Sequence, residues 1–412
     1  MSPTEKYKAL AVALITTIIR YYNYALFGLS ATILAEEFFP GDNSHQMLGF
    51  FIVFSVSALS RTFGAVIFGS ISDKISRIHS IKITVLIGAI STIIIAFLPS
   101  FSYLGQWSII ILTASRILFL SSLAGEIDTI KIFTSEIIGR KHKHIIISLV
   151  TSASQVGVIF ASALYYLALN YSDHQWLWRG NFFLGGVLSL GAFLIRGNMR
   201  ESDEFLVSKS QNETELKKPL ITLLFENKYK FLLATIINGF LGSGYHFLII
   251  FLNSFLAYIA KIITLETASL NNIILISTYA LMSPIAGYIT EKSDNKKLTT
   301  YALLINIVLT ILLLLTNLYH MLWIQVLIIS IIPFYQIPSI IITQSLFPAV
   351  IRIRMCSLSH AIGSMLFSST TPLICMLLWN YKLTINSVFY YFLFSMLCLL
   401  LNINCCKKIL KS

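Results

Sequence analysis

"GSISDKISR", residues 69–77, sets Asp73, Lys74 and Arg77 just after a glycine and between two long apolar runs. "GYITEKSDNKK", residues 287–297, repeats the order of Gly, three residues, an acid and a Lys, again between two apolar runs. The repeat marks an internal duplication, and the runs around it say what is duplicated. Of 412 residues, 56% are hydrophobic and 12% charged, and the mean hydropathy is +0.78. That is more apolar surface than a soluble domain of this length can hide in one core.

Apolar runs of about 18 to 25 residues, each long enough at ~1.5 Å per residue to cross a ~30 Å hydrocarbon layer, recur along the whole chain. They are expected as spans near 10–35, 47–72, 81–98, 106–134, 145–170, 180–197, 231–257, 270–290, 298–316, 321–344, 356–379 and 385–404. The runs are continuous and do not alternate, so they predict helices and not barrel strands. The first run follows Lys6 and Lys8, but it is too long for a signal-peptide core and carries Arg20 with no small-residue cleavage site. The fold class expected is therefore all-α and membrane-embedded, with about twelve spans.

The net charge of +12 is explained by its placement. Of 30 Lys and Arg, about 23 fall in or at the edge of the termini and alternate loops; Arg179, Lys261 and Lys382 lie in the opposite loops, and Arg20, Arg61, Arg116 and Lys131 lie well inside runs. This asymmetry is the positive-inside pattern and predicts both termini in the cytoplasm. Basic residues spread over many short loops argue against a nucleic-acid partner. The five cysteines show no C-x-x-C spacing, and Cys405 and Cys406 are adjacent, so neither a disulfide framework nor a zinc site is implied. Gly239, Gly242 and Gly244 lack the strand-to-helix context of a phosphate loop, and no H-E-x-x-H or G-x-S-x-G occurs. No enzyme activity, cofactor or metal is expected.

The long polar stretch "RESDEFLVSKSQNETELKKPL", residues 200–220, divides the runs into two sets of six. The expected organisation is an N-terminal half at 1–198, a cytoplasmic central loop at 199–230 and a C-terminal half at 231–412. A second pair of similar stretches, "SEIIGRKHK" at 135–143 and "SLFPAVIRIR" at 345–354, ends the fourth span of each half with a basic cluster. Duplicated six-helix halves are the plan of alternating-access transporters. On that plan Gly69, Asp73, Lys74 and Arg77, with Glu136 and Arg140, are expected to form a gate at the cytoplasmic side. The alternative is that Lys74 and Arg77 only orient the topology.

The 69–77 loop resembles the signature of the major facilitator superfamily, Gly-x-x-x-Asp-Arg/Lys-x-Gly-Arg, with Ser76 in the place of the second glycine. "FFPG" at 38–41, "LSRTFGAVIFG" at 59–69, "SR" at 115–116, "AGE" at 124–126, "WLWRGNFF" at 176–183, "RESDEF" at 200–205, "FP" at 347–348 and "TTPL" at 370–373 resemble the metabolite:proton symporters of that superfamily. Those carriers include the proline/glycine betaine, citrate, 2-oxoglutarate and shikimate transporters. The resemblance implies a secondary transporter of the bacterial inner membrane, with H+ as coupling ion and a small solute and the lipid bilayer as its partners. A monomer is compatible with this plan, and the sequence does not read out the oligomeric state. The chain departs from the family in span one, where Glu-Trp-Tyr/Phe-Asp is replaced by "RYYN" at 20–23. Arg20 stands for the Glu and Asn23 for the Asp, while Glu126 keeps the acid of span four.

Arg20, Arg61, Arg116, Glu126, Asp128 and Lys131 lie within apolar runs, where each would cost roughly 2.5–3.5 kcal/mol at the centre of an isolated helix. They must face a cavity or one another. Asp128 and Lys131 are spaced to pair on one helix. Arg20 or Arg116 is a candidate receptor for a substrate carboxylate, because a guanidinium forks two hydrogen bonds onto it. Glu126 is the candidate proton carrier; the alternative is that it is a fixed partner of Arg20 or Arg116. In the second half Tyr245 and Asn253, eight residues apart, are candidates for one face of a cavity-lining span. The expected function is a proton-coupled importer of a small zwitterion or organic acid, of the proline/betaine type. A dicarboxylate or 2-oxoglutarate carrier, an uncoupled facilitator and a transport-dead sensor are the alternatives.

Overall fold

The computed structural model describes residues 3–41, 43–138, 142–170, 176–196, 218–258, 260–382 and 384–409. Twelve of its helices are long and apolar enough to span a membrane. Spans one to six are Glu5–Leu29, Ile52–Ser72, Arg77–Phe97, Gln106–Ile138, Lys143–Leu167 and Trp176–Ile195. Spans seven to twelve are Lys228–Ala257, Glu266–Lys292, Asn295–Thr316, Leu322–Ser345, Arg352–Trp379 and Ile385–Asn404.

Several expected boundaries shift. Span three begins at Arg77 and not near 81, and span four continues to Ile138, past Glu136. The acid is tolerated because Arg77 pairs with it. Within the expected central loop, 199–230, a short helix covers Leu220–Glu226, and span seven starts at Lys228.

The chain forms two compact units, one of residues 1–139 with 153–216 and one of residues 140–152 with 217–412. In the first, span two packs along span four, span three against spans four and six, and span one against spans four and six. In the second, span eight packs along span ten, span nine against spans ten and twelve, and span seven against spans ten and twelve. The same pairing in the same order is the duplication expressed as packing.

Lipid supplies no hydrophobic drive for helices to associate, so close van der Waals contact must do it. A side chain at Gly157 of span five would stand 2.2 Å from the Ile18 carbonyl oxygen of span one, and one at Gly363 of span eleven 2.2 Å from the Thr235 oxygen of span seven. Each unit thus joins its first and fifth spans through a glycine. In the second unit that contact is flanked by π-helical winding at His246–Leu252 and Ser364–Ser368.

The two loop repeats also share a helix start. Ser76 accepts a hydrogen bond from the His79 N–H at 3.1 Å and caps span three. Asp294, at the same offset from its glycine, accepts from the Lys296 and Lys297 N–H groups at 2.9 and 3.2 Å and caps span nine. These two backbone donors hold its carboxyl below the usual carboxylate range. Ser76, which departs from the family glycine, has a clear local task.

Candidate functional site

The buried charges of the first unit gather where spans one, three and four meet. Arg20 Nε lies 3.0 Å from Glu126 Oε2, with both side chains 4% exposed. An Arg20 amino group also donates to Ser122 Oγ, and the guanidinium lies 4.7 Å from the Phe119 ring centroid. A side chain at Gly88 of span three would overlap Arg20 Nη1. Sequence reasoning missed Gly88 and Ser122, because one glycine or serine in an apolar run carries no signal of the arginine opposite.

Arg116 sits one further turn along span one, against Tyr24 and Phe27. Its Cζ lies 4.2 Å from the Phe27 centroid, 5.4 Å from Phe119, 5.6 Å from Tyr24 and 5.9 Å from Phe54. The side chain is buried, and its Nε has no hydrogen-bond partner. Arg61 of span two is also buried and close enough to act on the charge of Arg116. Tyr21 lies within electrostatic reach of Arg61, Glu126 and Asp128, and Asp128 within reach of Lys131.

Asn23 stands apart from this cluster. Its side-chain amide donates to the Gly185 carbonyl at 3.0 Å and to Ser189 Oγ at 2.7 Å, both on span six. It ties two helices together, so its geometry is that of a packing residue.

At the start of span three, Arg77 is fully buried and pairs with Glu136 at the end of span four. Gly69 is buried and Lys74 exposed. The Asp73 side chain and all of Arg140 lie outside the described residues.

In the second unit Tyr245 meets the Tyr279 ring edge-on at 5.5 Å, and Asn253 donates to Asn272 Oδ1 at 2.9 Å. Both partners belong to span eight. Tyr279 in turn donates to Gln336 of span ten. Residues 142–152, the first turns of span five, pack in this unit against span eight. There His142 Nδ1 lies 3.1 Å from Glu291 Oε1, His144 Nε2 lies 3.2 Å from Asn295 Oδ1, and Ser152 donates to the Ala280 carbonyl at 2.7 Å. The quoted stretches at 135–143 and 287–297 hold His142, Glu291 and Asn295 but gave no sign of these contacts, because the partners lie about 150 residues apart.

Arg179 of the "WLWRGNFF" stretch pairs with Glu37 at 2.6 Å, donates to the Leu98 carbonyl at 2.6 Å and stacks on Trp178 at 4.4 Å. This part of the family-like pattern is a structural clamp.

Residues 9–230 match the family model described as "Sugar (and other) transporter". The citrate-proton symporter of Klebsiella pneumoniae is 23% identical over 394 residues, covering 93% of this chain and 88% of that protein. The glycine betaine/proline/ectoine/pipecolic acid transporter of Dickeya dadantii is 30% identical over 203 residues, 48% of this chain and 40% of that one. Among solved structures, the proton:xylose symporter XylE superposes with a TM-score of 0.80 at 15% identity, over 99% of this chain and 96% of that chain.

Proposed function

This chain belongs to the sugar (and other) transporter family and has the major facilitator fold, and from that premise we propose that it imports a small carboxylate-bearing solute together with a proton. The solute is an organic acid or a zwitterion of the proline or betaine kind, and the carrier works by alternating access in a bacterial inner membrane. The matched citrate and betaine/proline carriers both take carboxylates, which supports the class without choosing within it.

The observation that carries the reading is the Arg20–Glu126 pair. An arriving carboxylate competes with Glu126 for Arg20. Once released, Glu126 is a buried charge without its counter-ion, a state that a proton relieves. When the solute leaves, Arg20 recaptures Glu126, which must then be ionised, and the proton departs. Solute and proton are therefore bound together and lost together, so an inward proton gradient drives import. Arg61 and Asp128 set the field around this exchange. Gly69, Asp73, Lys74 and Arg77, with Glu136 and Arg140, would gate the cytoplasmic end, while Tyr245 and Asn253 place span eight relative to span seven.

Asn23 favours a second reading. The position that carries an acid in the family here holds an amide spent on span six. If Glu126 stays on Arg20 throughout the cycle, transport is uncoupled. Uptake of labelled solute into proteoliposomes with and without an inward proton gradient separates the two: accumulation above equilibration supports symport, and flux indifferent to the gradient supports the facilitator.

A further inference from the structure

Arg20 is paired with Glu126, whereas Arg116 is buried with its Nε unpartnered. We propose that Arg116 receives a second carboxylate of the solute, beside the one that competes for Arg20, and that the solute it selects is a net organic anion and not a zwitterion. This rests on the transport reading above and narrows its substrate class.

The first support is the collar around Arg116. Four rings, from spans one, two and four, stand 4.2 to 5.9 Å from its Cζ, and the residue is only 2% exposed. Among the described residues no carboxylate pairs with it and no acceptor takes a hydrogen bond from it. Rings hold a guanidinium through its charge and its faces. They spend none of its five N–H donors, which lie in the guanidinium plane. A planar carboxylate is the ligand that uses such donors in pairs.

The second support is the charge sum. Away from the span ends of this unit, Arg20, Arg61, Arg116 and Lys131 are set against Glu126 and Asp128, leaving two positive charges in excess. In spans seven to twelve the only acids are Glu266 and Glu291, at the two ends of span eight. The interior of those spans thus offers an ammonium group no carboxylate. The rings beside Arg116 are already occupied by a cation of the protein's own. A dicarboxylate or tricarboxylate cancels the excess, and a zwitterion leaves it unchanged.

The test uses the full chain in detergent and in proteoliposomes, with citrate and 2-oxoglutarate as anionic probes and proline and glycine betaine as zwitterionic ones. Citrate or 2-oxoglutarate should raise the Tm of the wild type, and the zwitterions should not. Arg116→Met, whose flexible thioether suits an aromatic collar, should lose that shift and raise the uptake KM about tenfold or more, as loss of a charge-assisted fork predicts. Arg116→Lys, which keeps the charge without the fork, should fall between them; it also decides the matter if the Met variant fails to fold. Unchanged KM in either variant, equal stabilisation by zwitterions, or no Tm shift from any of the four probes would overturn the inference. An Arg116-dependent Tm shift without flux would sink the transport reading and leave this one standing. Gradient-driven flux with a KM indifferent to Arg116 would do the reverse.

Discussion

Replacing Glu126 by Gln tests the coupling reading through both stability and flux. The ion pair is 3.0 Å long with both side chains 4% exposed, so removing one partner strands a buried guanidinium. Breaking a buried pair in this way costs about 3–5 kcal/mol. Ser122 and the Phe119 ring recover part of that for Arg20. Replacing both members, as Arg20→Met with Glu126→Gln, should cost less than Glu126→Gln alone, because no charge remains to be stranded. Denaturation of the four proteins in detergent closes the cycle, and a coupling energy near zero would refute the pair as an energetic unit. For flux, one proton carried per solute monoanion makes a gradient of one pH unit worth about 1.4 kcal/mol, or roughly tenfold accumulation. The Gln variant should equilibrate the solute without accumulating it, while still exchanging internal for external label. Tenfold accumulation surviving in Glu126→Gln would remove this residue from the proton path.

Gly88→Ala should push Arg20 away from Glu126, since the added carbon would overlap Arg20 Nη1; a loss of about 1–3 kcal/mol is expected, whereas Gly191→Ala, with open space around it, should leave the Tm unchanged. Gly157→Ala and Gly363→Ala each meet a backbone oxygen at 2.2 Å and should destabilise by similar amounts, about 1–3 kcal/mol, if the two units are built alike; thermal unfolding compares them directly. Arg77→Gln strands Glu136, which is 3% exposed, and should cost about 3–5 kcal/mol, with Arg77→Gln/Glu136→Gln less affected. The Asp294 cap should weaken with acid. Its carboxyl is held below the usual range by the Lys297 and Lys296 N–H groups, so its contribution is full above about pH 4 and fades as pH falls through the lowered value. Hydrogen exchange at the Lys296 and Lys297 amides should quicken in acid beyond the intrinsic trend in the wild type, and not in Asp294→Ala.

The number of spans and their division into two sets could be read from the chain because lipid imposes one length on every crossing helix. Boundaries were harder to read where a charge is neutralised at a distance. Glu136 suggests the end of a span by itself, yet the helix runs through it because Arg77 is buried beside it. The cap position was present in both repeats, at Ser76 and Asp294, but was visible only as a departure from a glycine. The π-helical turns at His246–Leu252 and Ser364–Ser368 had no sequence signal. They lie beside the Gly239–Gly363 contact and the Phe247–Phe392 stack, so they belong to the packing of spans seven, eleven and twelve and not to local propensity. Within the site the charges were legible and their partners were not. Glu126 was read as a partner for either Arg20 or Arg116, and only the packing of span one on span four chooses Arg20. Asn23 sits in the right span but points to span six, which a one-residue difference in helical phase decides.

That phase gives the site its logic. Arg20 and Tyr24 are one turn apart on span one, a rise of ~6 Å. The first holds Glu126, and the second, with Phe27, forms part of the collar of Arg116. Span one therefore touches both the Arg20–Glu126 pair and Arg116, whose Nε has no hydrogen-bond partner. A rigid helix cannot draw Arg20 away from Glu126 without also shifting two of the four rings around Arg116. The exchange of an acid for Arg20 and of another for Asn23 thus does more than delete two carboxylates. On the proposed mechanism it turns span one from a second source of negative charge into the link between Glu126 as proton acceptor and Arg116 as anion receptor, which is the connection that coupling requires.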